Sequence, residues 1–221
     1  MPTLNISVIR FTKCLKPSEL ELFRGAVIDI AALHNATLFH NHTGENFRYG
    51  YPLIQYKNLD GRTSLVGVNQ GASELLWLRP FFNRELNIGY KSISFDVLSV
   101  ENIEAQIGVV RHTMCYRLKN WMPLNQENDR LFHSTPDEGD RVIMLEEILT
   151  NSIVSFYKDM GYAPKKRINC RIEQRGPIEK VSYKEVDMRT MDIDFRTNAL
   201  LPPFIGIGKG SSMGFGLVET R

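Results

Sequence analysis

Five glycines fall within eleven residues near the end of the chain, in Gly206-Ile207-Gly208-Lys209-Gly210-Ser211-Ser212-Met213-Gly214-Phe215-Gly216. A backbone this poor in Cβ atoms can turn through positive φ and lie against a partner. Amide N–H groups gathered in one concavity, with the Lys209 ammonium and the Ser211 and Ser212 hydroxyls beside them, would hold phosphate oxygens. A glycine-rich hairpin turn with a solvated lysine reads equally well from glycine content alone. Two familiar phosphate loops are excluded. A Walker A loop needs Gly-Lys followed by Ser or Thr, and Lys209 is followed by Gly210. A dinucleotide fingerprint opens a helix after the first strand of a βαβ unit, whereas this loop runs into the apolar alternation Met213 to Val218, which predicts a closing strand.

Histidine is the second candidate for chemistry, because its unperturbed pKa suits proton transfer near neutrality. Three of the five, His34, His40 and His42, crowd into the single connection Leu33 to Gly44. From the residues alone that stretch reads first as a solvated polar turn. His34 is expected to be a helix-terminus cation or partial core residue, and His112 and His133 to be structural. His40-Asn41-His42 spells the letters of a metal-dependent HNH nuclease but lacks that motif's ββα span. No Asp/Glu/His cluster has ligand spacing, so neither a metal nor a cofactor is expected.

These residues must be positioned by a chain of 221 residues whose net charge is +2. That length allows one large or two small domains with a real core. So small a charge proves no polyanion partner; its distribution must carry that argument. Cys14, Cys115 and Cys170 are odd in number and far apart, which excludes a disulfide framework or zinc ribbon. No apolar run spans a bilayer, the start Met1-Pro2-Thr3 lacks the form of a signal peptide, and a cytoplasmic protein with no membrane partner is expected.

Thr3 to Phe11 alternates as a strand, and Pro17-Ser18-Glu19 opens a helix with Leu22, Phe23, Ala26, Val27, Ile30 and Leu33 at helical spacing. Two strands joined at Asp60-Gly61, a helix from Gly71 to Leu78 and a strand from Tyr90 to Val100 follow. The order strand, helix, strand, strand, helix, strand is ferredoxin-like. It recurs as Val109 to Leu118, a helix from Asp137 to Met160, and Lys165 to Gln174 with Val181 to Phe195 about a turn at Gly176-Pro177. Pro202-Pro203 and the glycine loop then replace the last helix, and stretch 119–136 is the least regular. The fold class is therefore α+β, two tandem ferredoxin-like (βαββαβ) units with a C-terminal glycine-rich loop, divided as residues 1–102 and 103–221.

Tandem ferredoxin-like order, the terminal loop and His40 between the first helix and second strand together resemble the CRISPR repeat-processing endoribonucleases of the RAMP superfamily. The likeness covers essentially the whole chain, and Gly-x-Gly followed by Ser-Met-Gly-Phe-Gly is its most specific part. It implies metal-independent cutting of CRISPR repeat RNA in precursor transcripts by 2′-hydroxyl attack, or, alternatively, a non-catalytic RNA-binding subunit of an effector complex. It points to His40, with His42 second, as the proton-transfer groups. The family's usual first-helix tyrosine and early lysine are missing here, and Arg48 or Tyr49 is expected in their stabilising or orienting place. RNA is expected on the second unit, at Gly206, Gly208, Lys209, Gly210, Ser211 and Ser212 and at Lys165, Lys166 and Arg167, with Arg171, Arg175, Lys180, Arg189 and Arg196 beside them. Expected partners are CRISPR repeat RNA and other effector subunits, and a homodimer is left open.

Overall fold

The computed structural model describes every residue except 35–37, 40–41, 44–45, 48–49 and 184–185, and only the backbone at 42–43 and 46–47. The chain divides into two units. One holds Thr3–Ala105 with Ser212–Gly214, the other Met1–Pro2, Gln106–Ser211 and Phe215–Arg221.

The first unit begins with β1 (Thr3–Phe11) and α1 (Leu20–Leu33). A 3-10 turn at Pro17–Glu19 starts the helix, and the Lys16 amide donates to the Glu19 carboxylate at 2.9 Å. The short strands β2 (His42–Thr43) and β3 (Asn46–Phe47) pair with each other. Next come β4 (Ile54–Leu59) and β5 (Arg62–Val68), whose hairpin turns at Asp60 and Gly61 with φ of 50° and 71°. Two successive positive φ values match the right-handed twist of the flanking strands. The chain continues through α2 (Gln70–Leu78), the hairpin β6 (Arg84–Ile88) and β7 (Lys91–Phe95), and β8 (Val97–Gln106). The sheet order β4-β5-β1-β8 is that of a βαββαβ unit. One sheet face and the helices bury Phe11, Phe23, Phe82 and Phe95; Phe11 meets the other three edge-on at 5.5–5.6 Å between ring centres.

Tyr90 to Val100 is not one strand. Asp96 separates β7 from β8: its carbonyl accepts from the Thr12 amide at 2.9 Å, and the Val97 amide donates to Asn83 at 2.8 Å. Sequence alternation runs across this break because Phe95 still points into the core.

The second unit comprises β9 (Gly108–Trp121), α3 (Gln126–Ser134), α4 (Glu138–Asp159), β10 (Cys170–Arg175), β11 (Glu179–Tyr183), β12 (Val186–Leu200) and β13 (Leu217–Thr220). Asn125 caps α3 and Asp137 caps α4, each accepting the amide three residues on. The buried stripe of α4 is Leu145, Leu149, Ile153, Phe156 and Tyr157. Sheet order is β10-β12-β9-β13, with β11 also beside β12, so this too is ferredoxin-like with its last helix replaced.

Three local expectations change. Gly176-Pro177 is not the hairpin turn: the Gly176 amide donates to Asp192 at 2.8 Å, so the edge strand merely breaks at the proline and continues as β11 on the same partner. Proline is tolerated there because an edge position needs no donor. Stretch 119–136 holds the end of β9 and α3. The closing strand starts at Leu217, not Met213, because Gly214 and Gly216 take φ of 84° and 62°.

Candidate functional site

The glycine loop closes on itself. The Ile207 amide donates to Gly216 at 2.8 Å, the Gly216 amide to Asn120 at 3.2 Å and the Val218 amide to Ile205 at 2.9 Å, while Ile205 and Ile207 are fully buried. A Cβ on Gly216 would lie 2.0 Å from the Ile207 carbonyl oxygen, and one on Gly206 2.7 Å from Ser211. These glycines exist so that the two limbs of the loop can touch. Of the six loop residues expected to meet phosphate, Gly206 and Ser211 are buried, Gly208, Gly210 and Ser212 half-buried, and Lys209 exposed. Below Gly208 the Trp121 indole N–H is buried with no acceptor among the described residues; a Cβ on Gly208 would sit 3.3 Å from it. Ser212, Met213 and Gly214 belong to the first unit, where Met213 packs against the aromatic core.

Lys165, Lys166 and Arg167 stand exposed between α4 and β10. Buried Ile168 and the Asn198 side chain, which donates to the Arg167 carbonyl at 3.0 Å, hold that segment. The strand arginines differ. Arg171, Arg175, Arg189 and Arg196 pair with Glu146, Glu138, Asp129 and Glu173 at 3.8, 2.8, 2.6 and 2.6 Å. No ion pair among the described residues engages Lys165, Lys166, Arg167, Lys180 or Lys209. Across β9 and β12, Arg117 forks onto Asp194 at 2.7 and 3.0 Å and Arg221 adds a contact at 2.8 Å. Those hydrogen bonds from Arg117 hold the Asp194 carboxyl below its ordinary pKa.

His40, Arg48 and Tyr49 lie outside the described residues, as does the side chain of His42; the His42 backbone opens β2, opposite Phe47. The flanking chain is well tied. His34 ends α1 with its ring stacked on Phe81 at 3.6 Å and edge-on to Trp77 at 5.9 Å. The Leu38 amide donates to the Glu74 carboxylate on α2 at 3.0 Å, and Phe39, the residue before His40, is buried in the core. Burial raises the Glu74 pKa, partly offset by the Leu38 hydrogen bond. Sequence reading passed over Glu74, because an acid in an amphipathic helix carries no sign of the loop it will reach. His112 is exposed on β9 and His133 lies 3.6 Å from Asp129, so neither joins a described reactive cluster.

Another group escaped notice. Lys57 reads as the polar face of a strand, yet it is wholly buried and its Nζ has no partner among the described residues. Burial drives its pKa far down, and burial drives the neighbouring Tyr56 phenol up.

Two ferredoxin-like units, the second ending in a self-packed glycine loop with one presented lysine, define a class shared with known proteins. The first unit matches a family model described as the Cas6b N-terminal domain over residues 2–106, and the second the Cas6b C-terminal domain over 108–221. A crystal structure of a Cas6b superposes with a TM-score of 0.88 at 27% identity, covering 100% of both chains. A second Cas6b, described as a CRISPR RNA processing endoribonuclease, superposes at 0.76 with 23% identity, again over 100% of both. An uncharacterised protein of Methanocaldococcus jannaschii is 27% identical over 145 residues, 61% of this chain and 91% of the relative. The chain belongs to the Cas6b family.

Proposed function

We propose that this chain is a metal-independent endoribonuclease that cuts CRISPR repeat RNA in precursor transcripts to release guide RNAs. The observation that carries the reading is that Cas6b domain models cover both units, 2–106 and 108–221. In the reaction the ribose 2′-oxygen bonds to phosphorus as the bond from phosphorus to the 5′-oxygen breaks. One imidazole takes the 2′-hydroxyl proton and another gives a proton to the departing 5′-oxygen, leaving a 2′,3′-cyclic phosphate and a 5′-hydroxyl. His40 and His42 share these transfers, and the Arg48 guanidinium or Tyr49 hydroxyl meets the charge that develops on the phosphorane. The two residues before His40 are anchored, Leu38 by its hydrogen bond to Glu74 and Phe39 in the core. The first unit carries this chemistry, and the second holds the RNA through Lys209 and the triplet Lys165-Lys166-Arg167.

The test is cleavage of repeat RNA in EDTA, then of the same RNA with a 2′-deoxy substitution at the scissile nucleotide. Cutting should survive EDTA and vanish on the deoxy substrate; cutting of the deoxy RNA, or a strict need for Mg²⁺, refutes the mechanism. His40→Ala should abolish cleavage and keep RNA binding. A non-catalytic RNA-binding subunit would instead show no cleavage to lose.

A further inference from the structure

The second unit contains a cavity that the cleavage reaction does not use. It has a volume of about 460 Å³ and lies among the first turn of α3, the facing ends of β11 and β12 and the glycine loop, lined by Asn125, Gln126, Glu127, Tyr183, Val186, Met188 and Lys209. Its walls are of two kinds. Tyr183, Val186 and Met188 make an apolar slot, and the Tyr183 ring is held by an edge contact with Phe215 at 5.4 Å. At the mouth stands Lys209, whose ammonium lies 3.6 Å from the Met188 thioether. Thioether sulfur is a weak acceptor and leaves the ammonium's other protons available. A second cavity of about 280 Å³ shares Asn125, Gln126 and Met188 and reaches Lys180, with Asp187 and the Asp129–Arg189 pair also on its wall. An aromatic slot between two lysines without ion-pair partners among the described residues suits a flat base on a phosphate chain better than a small anion, which would have no use for the apolar walls.

The polar edge narrows the choice. The Asn125 side-chain oxygen is occupied, accepting from the Asn128 amide at 2.7 Å, so Asn125 presents its NH₂ donors. Glu127 presents a carboxylate, which only accepts. Guanine answers both, since its N1–H and N2–H₂ donate side by side and its O6 accepts. Uracil has one such donor, and adenine and cytosine each set a single amino group beside an acceptor, so guanine alone places two donors on the carboxylate while O6 accepts from the amide. We propose that this groove binds an unpaired base of the RNA, guanine in preference to the others, with the adjoining phosphates on Lys209 and Lys180. The proposal rests on the RNA-processing reading for the identity of the polymer.

The experiment uses the full chain and uridine nonamers carrying a central G, A, C, U or abasic site, with binding measured by fluorescence anisotropy at fixed salt. The G oligomer should bind about tenfold tighter than the U and abasic ones. Glu127→Gln, at an exposed position, should erase the preference. Tyr183→Ala should weaken the G oligomer about tenfold and leave the abasic one unchanged. G and abasic oligomers bound within twofold, or a preference that survives Glu127→Gln, overturns the proposal, and a groove built for a peptide of another protein would give the same flat result. Cleavage of repeat RNA is measured in parallel. Cleavage without base preference sinks the pocket alone, whereas base preference without cleavage sinks the nuclease reading alone.

Discussion

Replacing Lys57 by methionine should stabilise the protein, and by an amount that depends on pH in a known direction. The side chain is fully buried on β4 with no partner for Nζ among the described residues, and burial holds its pKa well below 10.5. Between the folded and unfolded pKa values the unfolded chain binds a proton that the folded chain does not. Native stability therefore rises with pH across that window, by up to about 1.4 kcal/mol per pH unit. Read downward, each unit below 10.5 costs the native state up to that amount until the folded pKa is reached. At pH 7 the penalty therefore has a ceiling of roughly 5 kcal/mol, reached only if the ammonium is fully deprotonated in the native state. Methionine has similar length, carries no proton and fills the same space. Lys57→Met should thus gain a few kcal/mol at pH 7, and the gain should shrink steadily toward pH 10. Urea unfolding of both proteins at pH 6, 7, 8 and 9 measures this. A variant less stable than the parent, or a difference that does not change with pH, would mean that the ammonium is charged and satisfied where it lies.

Two further substitutions test the site's supports. Gly216→Ala forces a side chain into a φ of 62° and 2.0 Å from the Ile207 carbonyl, so thermal melting should show a loss of at least about 2 kcal/mol. Glu74→Ala releases the Leu38 amide and should lower the single-turnover cleavage rate about ten- to hundredfold with RNA affinity unchanged. Glu74→Gln keeps an acceptor and should restore most of the rate; a Gln variant as slow as the Ala one removes the positioning role.

Elements with a strong local signal were legible. Proline and acids open α1, Asp137 caps α4 above an apolar stripe, and Asp60-Gly61 turns a hairpin, each a matter of residues adjacent in sequence. Errors arose where the deciding partner is distant. Alternation across Tyr90 to Val100 could not reveal that Asp96 answers Thr12, some eighty residues earlier. Gly176-Pro177 has the composition of a turn, but a backbone bond to Asp192 keeps the strand going. The same limit governs the site. Glycine density located the loop, yet which glycines serve contact within the loop depends on Ile207 meeting Gly216. Lys57 and Glu74 left no trace, because a buried lysine and a loop-anchoring glutamate are spelled like surface residues.

Charge offers the last and widest divergence between spelling and structure, and it yields a prediction about RNA. Arg171, Arg175, Arg189 and Arg196 read as a basic stripe, but each sits within 4 Å of a carboxylate; among the described residues Lys165, Lys166, Arg167 and Lys209 do not. A paired arginine brings little net charge to a phosphate chain, since its carboxylate must be repelled or displaced. The salt dependence of RNA binding counts the cations that replace condensed counterions, each worth about 0.7 in the slope of log K against log[salt] on a single strand. Removing Lys165, Lys166 and Arg167 together should flatten the slope by about 2. Removing Arg189 and Arg196 together should leave it nearly unchanged, although it takes from Asp129 and Glu173 their arginine partners. Titration of repeat RNA between 50 and 300 mM salt distinguishes the two. Equal flattening by both sets of substitutions would show that the arginines leave their carboxylates when RNA arrives, and that the observed pairs are a resting arrangement of the binding surface.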